Sequence, residues 1–146
     1  ADMGPGTSFH RVMAEDESLK ENHKVKRIVL CSGKVYYDLL EEHTSRKQKD
    51  VVLLRMEQLY PFPFEALRSE LVRFPKAKQL VWCQEEPKNM GAWSFIAPHL
   101  EQVMDELGMK GGPVYAGRAE AASPATGQHS KHVAQQAKLV EAALVG

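Results

Sequence analysis

The fold is decided by the stretch IVLCSGKVYYDLLEEH, residues 28–43. Its first four residues form a continuous apolar run, which is typical of a strand covered on both faces. After Ser32-Gly33, the side chains of Val35, Leu39 and His43 recur at helical spacing and therefore share one face. The step from a buried strand into an amphipathic helix predicts a β–α unit.

The same alternation repeats along the rest of the chain. Further apolar runs occur at residues 51–54, 80–83 and 114–116. Three more helical stripes accompany them: Phe64, Leu67, Leu71 and Phe74; Trp93, Ile96, Leu100, Val103 and Leu107; and Val133, Ala137, Val140 and Leu144. Because alternating strands and helices imply crossover connections, the sequence predicts a three-layer αβα domain. We expect a mainly parallel sheet of four to five strands.

The chain has the size of one domain. It contains 146 residues, of which 43% are hydrophobic, enough for a sizeable core. We predict that the domain spans residues 25–146 and that residues 1–24 are a linker or an edge-strand segment, with the strand at residues 7–13. The start of the chain has neither an initiator Met nor a signal peptide, which favours a cut through a linker of a larger protein.

Composition excludes several classes of function. Nineteen Lys and Arg residues balance nineteen Asp and Glu residues, so the chain lacks the basic excess of a non-specific nucleic-acid binder. No apolar run approaches the roughly 20 residues of a membrane-spanning helix. Cys31 and Cys83 lie inside apolar runs, where we expect them to act as small hydrophobic residues. These features indicate a cytosolic domain that binds neither nucleic acid nor membrane.

Polar residues follow the predicted strands at the points where ligands usually bind. In open parallel sheets, ligands gather beyond the carboxyl ends of the strands. The residues at these points are Ser32, Gly33 and Lys34, then Glu57 and Gln58, then Gln84, Glu85 and Glu86, and finally Arg118. Each group has a chemical and a purely structural interpretation.

The Ser32-Gly33-Lys34 turn is the best candidate for an anion site. A helix N-terminus attracts anions, and Lys34 adds a positive charge. The motif is too short for a Walker A loop, which needs a second glycine and a following Ser or Thr. Ordinary turn chemistry between a strand and a helix remains the alternative interpretation.

Two other pairs are weaker candidates. Glu85 and Glu86 are neighbours on a strand and therefore point to opposite faces, which favours a structural polar network over a proton-sharing pair. Lys88 is a possible ion-pair partner for either. His129 and His132 are spaced to share a helix face but lack an evident third zinc ligand, so exposed histidines are the default.

Four stretches carry a resemblance to a known family. They are KRIVLCSGKVYYDL (26–39), RMEQLYPFP (55–63), VWCQEEPKNMGAW (81–93), and YAGR (115–118) followed by ASPATG (122–127). In this order they resemble the C-terminal region of the 2-oxoglutarate dehydrogenase E1 component. The resemblance covers roughly residues 5 to 146, with looser agreement at 14–24 and 108–113, and favours a bacterial source.

The resemblance implies a parent enzyme. The family's E1 uses thiamin diphosphate to decarboxylate 2-oxoglutarate and succinylates the lipoyl group of the E2 succinyltransferase in the tricarboxylic acid cycle. Its last domain is similar to the transketolase C-terminal domain, while thiamin diphosphate, Mg²⁺ and substrate bind in the preceding domains. The resemblance therefore implies no catalytic residue, no metal and no cofactor in this chain, which alone should be inactive. It implies a bacterial cytoplasmic protein, or a mitochondrial matrix protein in a eukaryote.

The resemblance also implies partners. These are the remaining E1 domains, a second E1 copy in a homodimer, the E2 component and, in some members, a nucleotide or acetyl-CoA effector. We hypothesise an effector site at Ser32, Lys34 and Arg55, because Arg55 ends the second strand at the same sheet edge as the turn. If the two strands are neighbours, both cations converge on one phosphate.

Two further functions stay open at this point. One is a stand-alone nucleotide- or acyl-CoA-binding module, and the other is a module that docks E1 onto other subunits of the complex. A structural role in E1 is favoured by the apolar stripe of Trp93, Phe95 and Ile96 beside Ala97-Pro98. These residues supply more apolar surface than is needed to cover one face of the sheet. We expect part of this stripe to contact other domains.

Overall fold

A computed structural model describes residues 9–12, 24–118 and 129–145 of the chain. Strands and helices alternate from the second strand onward, as the sequence predicts. The strands are β1 (Phe9–Val12), β2 (Arg27–Cys31), β3 (Val51–Met56), β4 (Gln79–Pro87) and β5 (Val114–Arg118), and the helices are α1 (Val35–Arg46), α2 (Phe64–Leu71), α3 (Trp93–Glu106) and α4 (His129–Leu144). None of the described helices has the length and apolar character needed to cross a membrane.

The strands form one sheet in the order β1-β3-β2-β4-β5. Strands β3, β2, β4 and β5 are parallel, and β1 pairs antiparallel with β3 at one edge. This confirms the mainly parallel sheet. Strand β1 lies within residues 7–13, where the sequence suggests an edge strand; residues 1–8 and 13–23 lie outside the described residues, and the boundary at residue 25 stays a prediction.

Each face of the sheet packs against its own pair of helices. Side chains alternate along a strand, so Ile28 and Leu30 face α2 and α3, whereas Val29 and Cys31 face α1 and α4. The two hydrophobic cores on either side of the sheet give the three-layer αβα architecture that the sequence predicts. This is why β2 and most of β3 and β4 are buried without alternation.

Helix α1 matches its predicted stripe. Val35 and Leu39 are buried, and His43 is 2% exposed. A ring nitrogen of His43, Nε2, lies 2.7 Å from the carbonyl oxygen of Val51. The imidazole therefore joins the last turn of α1 to the start of β3.

Two expectations about burial are wrong in detail. Strand β5 is not covered on both faces, because it lies at the edge of the sheet and leaves Val114 37% exposed. Helix α4 does not bury the whole predicted stripe, since Val133 is 50% exposed and Ala137 is exposed. The C-terminal half of α4 packs on the sheet instead, through Leu139, Val140, Ala143 and Leu144.

The end of α4 is held by a buried arginine. Arg27 is 6% exposed, and its Nε donates to the carbonyl oxygen of Ala143 at 2.8 Å. Its other nitrogens donate to the Ala142 carbonyl at 3.2 Å and to the Gln79 side chain. Burial lowers the pKa of Arg27 from its usual value, and the nearby Asp50 carboxylate opposes that shift. The guanidinium supplies donors to helix carbonyls that have no partner within the helix.

Candidate functional site at the carboxyl edge of the sheet

The carboxyl ends of the four parallel strands lie along one edge of the sheet. Strand β2 ends at Cys31, which lies opposite Arg55 on β3 and Cys83 on β4. Strand β5 ends at Arg118, which pairs with Pro87. The residues that follow β2 and those at the ends of β3, β4 and β5 are thus brought to one region, as the topology rule predicts.

The turn after β2 leads directly into α1. Gly33 has a φ of +81°, a conformation that L side chains rarely adopt, so the turn requires glycine at this position. The amide N–H of Tyr36 donates to the Gly33 carbonyl, and that of Tyr37 donates to the Lys34 carbonyl. Lys34 is exposed and starts the helix without a side-chain cap. A cation therefore stands where the helix dipole also favours negative charge.

Arg55 is held beside this turn by two tyrosines. Its guanidinium carbon lies 5.3 Å from the ring centres of both Tyr36 and Tyr37. The guanidinium also donates to the Tyr37 hydroxyl at 3.2 Å. Burial raises the pKa of Tyr36, so its ring stays neutral beside the cation. The two rings hold the guanidinium at the start of α1 through cation–π attraction.

Ser32, Lys34 and Arg55 form a basic corner at this edge of the sheet. Within the described part of the chain, no carboxylate lies within ion-pair distance of Lys34 or Arg55. Tyr37 is 56% exposed, and its ring lies beside the Arg55 guanidinium. Two grooves of 370 and 390 Å³ border α4, and Ser32, Lys34 and Arg55 line neither of them. Lys34 and Tyr37 are exposed, so the corner lies at the protein surface.

A buried glutamine organises the loop after β4. Gln84 is 3% exposed, and its Oε1 accepts from the Trp82 indole at 2.8 Å and from the Trp93 amide at 3.1 Å. Its Nε2 lies 2.8 to 3.0 Å from the carbonyl oxygens of Glu86, Pro87 and Met90. One side chain therefore fixes the path of the chain from the end of β4 to the start of α3.

A polar network closes the middle of the edge. The Gln136 amide nitrogen on α4 donates to Asp38 at 2.7 Å and to Glu85 at 2.6 Å. Arg118 donates to the Gln136 side-chain oxygen at 3.0 Å and to the Glu85 carbonyl. The two carboxylates share an amide donor, which supports the structural interpretation of Glu85. Lys88 does not form the suggested ion pair; its ammonium lies 5.4 Å from the Tyr115 ring centre.

Close packing around Tyr115 explains the glycine in the YAGR motif. A Cβ atom at Gly117 would lie 2.6 Å from the Tyr115 hydroxyl oxygen and 2.8 Å from the Gln84 carbonyl oxygen. The Tyr115 hydroxyl donates to the Arg118 carbonyl. Burial raises the pKa of Tyr115 to about 12, so the hydroxyl keeps its proton. This part of the edge is closed by its own packing.

The two cysteines are neighbours across β2 and β4. Both are 0% exposed and face the core formed with α1 and α4. Burial raises the pKa of Cys31, and it raises the pKa of Cys83 to about 12. Thiols that remain protonated and covered are poor nucleophiles, so these residues serve as core side chains.

Metal-ligating residues do not converge in the described ranges 9–12, 24–118 and 129–145, where no three His, Cys, Asp or Glu side chains form a candidate metal site. His129 and His132 both lie in α4, at its start. Their side chains fall outside the described residues, so the question of a shared face is left as a prediction.

Sequence reasoning missed three contributors to this edge. Tyr37 lies beside Arg55, and Asp38 and Gln136 complete the polar network. Tyr37 and Asp38 lie within one helical turn of the Ser32-Gly33-Lys34 turn, so their closeness to the end of a predicted strand could have identified them. Gln136 comes from a helix about 100 residues away, and no local pattern indicates its position.

Comparisons with known proteins agree with the resemblance found in the sequence. The 2-oxoglutarate dehydrogenase C-terminal family matches residues 1–144. The chain is 55% identical over 153 aligned positions to 2-oxoglutarate dehydrogenase E1 components of Brucella ovis, Brucella canis and Brucella suis. Each alignment covers 99% of this chain and 15% of the relative. The chain thus spans a small part of the length of the curated relatives that it matches.

Proposed function

The chain belongs to the 2-oxoglutarate dehydrogenase C-terminal family, and we propose that it serves as the C-terminal structural and regulatory domain of a 2-oxoglutarate dehydrogenase E1 component. The observation that carries the proposal is the 55% identity over 99% of this chain to proteins of that name. The αβα fold, with a closed polar network over most of its carboxyl edge, supports a structural role.

The proposal assigns catalysis to the parts of E1 outside this chain. The parent decarboxylates 2-oxoglutarate with thiamin diphosphate and Mg²⁺ and passes the succinyl group to the lipoyl group of E2. In the part of the chain that the structure describes, no three His, Cys, Asp or Glu side chains come together as ligands for a metal. The partners in this proposal are the remaining E1 domains, a second E1 subunit and E2, in the bacterial cytoplasm.

The regulatory half of the proposal rests on the basic corner of Ser32, Lys34 and Arg55. Arg55 is oriented by Tyr36 and Tyr37, and Lys34 stands at the start of α1. A phosphate next to the turn gains two cations and the helix N-terminus. The exposed Tyr37 ring supports a ligand with a flat base, which favours a nucleotide or acetyl-CoA over inorganic phosphate.

Titration of the chain with AMP, acetyl-CoA and CoA at fixed salt tests this site. We expect saturable thermal stabilisation, worth about 2.7 kcal/mol when the ligand is present at 100 times its Kd. Arg55→Ala and Lys34→Ala should each weaken binding by about ten-fold to about a hundred-fold, because a charge-assisted hydrogen bond is worth about 1.5–3 kcal/mol.

Arg73→Ala is the matched control, because Arg73 is a partly exposed cation that lies after α2 and away from the turn. It should bind the ligand as the unchanged chain does. Unchanged affinity in both the Arg55→Ala and Lys34→Ala variants would remove the effector site. If the chain is folded and no ligand stabilises it, the structural role is the only part of the proposal that remains.

A further inference from the structure

An aromatic patch stands apart from the carboxyl-edge network. It consists of Tyr60, Phe62, Phe64, Phe95 and His99. Their rings form a continuous series, with 4.4 Å between the centres of Tyr60 and Phe95, 4.9 Å between Phe95 and His99, and 5.1 Å between His99 and Phe64. Phe62 is 8% exposed and lies 4.9 Å from His99, so it anchors the patch in the core formed with α2 and α3.

The outer rings of the patch are not needed to cover the sheet. Tyr60 is 62% exposed, and Phe64, Phe95 and His99 are half-buried. The exposed residues Pro61 and Pro98 border them. Contiguous exposed patches of aromatic rings and prolines usually mark sites of interaction with another protein surface.

The patch corrects the expected location of the apolar excess. The sequence assigns it to Trp93, Phe95 and Ile96, but Ile96 is 0% exposed and belongs to the core. The ring centre of Trp93 lies 5.3 Å from that of Tyr115, on the side of the closed loop. Only Phe95 of the three belongs to the patch, because helical spacing directs neighbouring residues to different faces.

The chemistry around the patch is that of an interface centre with a polar border. Arg68 lies 5.5 Å from the Phe64 ring centre and forms an ion pair with Glu106 at 2.6 Å. This pair is partly exposed and stands beside the rings. Apolar centres with charged rims are the usual organisation of protein–protein contacts.

We propose that the aromatic patch is the face on which this domain docks against the preceding polypeptide of its own E1 subunit; this inference rests on the proposed function. The chain spans 15% of the length of its relatives, so in an E1 of that length most of the polypeptide is covalently joined to this domain and can contact it. A stable contact between free partners needs about 20–30 residues a side, whereas five rings and two prolines form the patch. So small a face suits an intramolecular partner, because a tether raises the effective concentration to about the millimolar range.

Hydroxyl-radical footprinting of Tyr60 tests the proposal, with Tyr37 as the internal control. The two tyrosines are similarly exposed in this chain, at 62% and 56%. We expect the modification rate of Tyr60 to fall at least about five-fold in full-length E1 relative to the isolated chain, because the ring leaves water at an interface. The rate at Tyr37 should stay unchanged. An E1 that decarboxylates 2-oxoglutarate while Tyr60 reacts as it does in the isolated chain overturns the docking face and leaves the proposed function intact.

Photo-cross-linking identifies the occupant. With p-benzoylphenylalanine at position 60 of full-length E1, we expect cross-links within one polypeptide. The cross-linked protein should keep the mass of a single subunit, and its digest should contain pairs of joined peptides. A cross-linked species of twice that mass would assign the patch to a second copy and overturn the proposal. Protection of Tyr60 in the isolated chain at raised concentration would do the same.

Discussion

Replacing Gln84 with leucine is expected to lower the free energy of unfolding by about 3–5 kcal/mol, because each buried polar group that loses its partner costs about 1–3 kcal/mol. The leucine would leave the Trp82 indole and the carbonyl of Pro87 without partners in buried surroundings. The partly buried hydrogen bonds to Glu86, Met90 and Trp93 add smaller costs. Urea unfolding, followed by tryptophan fluorescence, measures the loss.

Gln102→Leu is the control for this experiment. Gln102 is exposed on α3 and makes one long hydrogen bond, 3.4 Å, to Glu106. Its replacement should leave the urea midpoint nearly unchanged. Equal midpoints for the Gln84→Leu variant and the unchanged chain would show that the network around Gln84 contributes nothing to stability, contrary to this account.

Arg27→Met is expected to cost about 2–4 kcal/mol, since hydrogen bonds from a charged donor contribute about 1.5–3 kcal/mol and methionine retains only the apolar stem. The carbonyls of Ala142 and Ala143 lose their donor at the point where α4 ends. We expect lower protection of the last turn of α4 in hydrogen exchange, together with a lower urea midpoint.

Arg46→Met is the control for Arg27→Met, because it removes the same positive charge from an exposed position instead of a buried one. Arg46 also joins α4 to the rest of the chain, through ion pairs with Glu42 on α1 and Glu141 on α4. These pairs are exposed to solvent, where ion pairs contribute little, so this variant should be close to the unchanged chain. A loss as large as that of Arg27→Met would contradict the role assigned to the buried guanidinium.

The sequence predicts the layers of this fold well because their signals are local. A continuous apolar run followed by helical spacing identifies β2 and α1, and the same pattern repeats for the later units. The predicted burial of α4 is wrong in detail, because residue spacing predicts which face of the helix is apolar but not which part of that face contacts the sheet. Val133 satisfies the pattern and remains exposed.

The candidate site is predictable only in part. The rule that ligands gather at the carboxyl ends of parallel strands brings Ser32 and Arg55 to one edge, and the register of β2 and β3 gives their proximity. The stacking of Arg55 on Tyr36 and Tyr37 depends on tertiary packing, as does the contact of Gln136 with Glu85. No spacing along the chain encodes such contacts between distant elements.

Turnover of a chimaeric E1 tests the central claim most directly, namely that this chain is the C-terminal domain that E1 requires. In the chimaera, this chain replaces the matched region of a curated relative, and CO₂ release from 2-oxoglutarate is measured with thiamin diphosphate and Mg²⁺. We predict turnover within about ten-fold of the relative, a difference of about 1.4 kcal/mol in the barrier, and none from the relative lacking the region or from this chain alone. A truncated relative with full turnover, or a folded chimaera with none, would contradict the account.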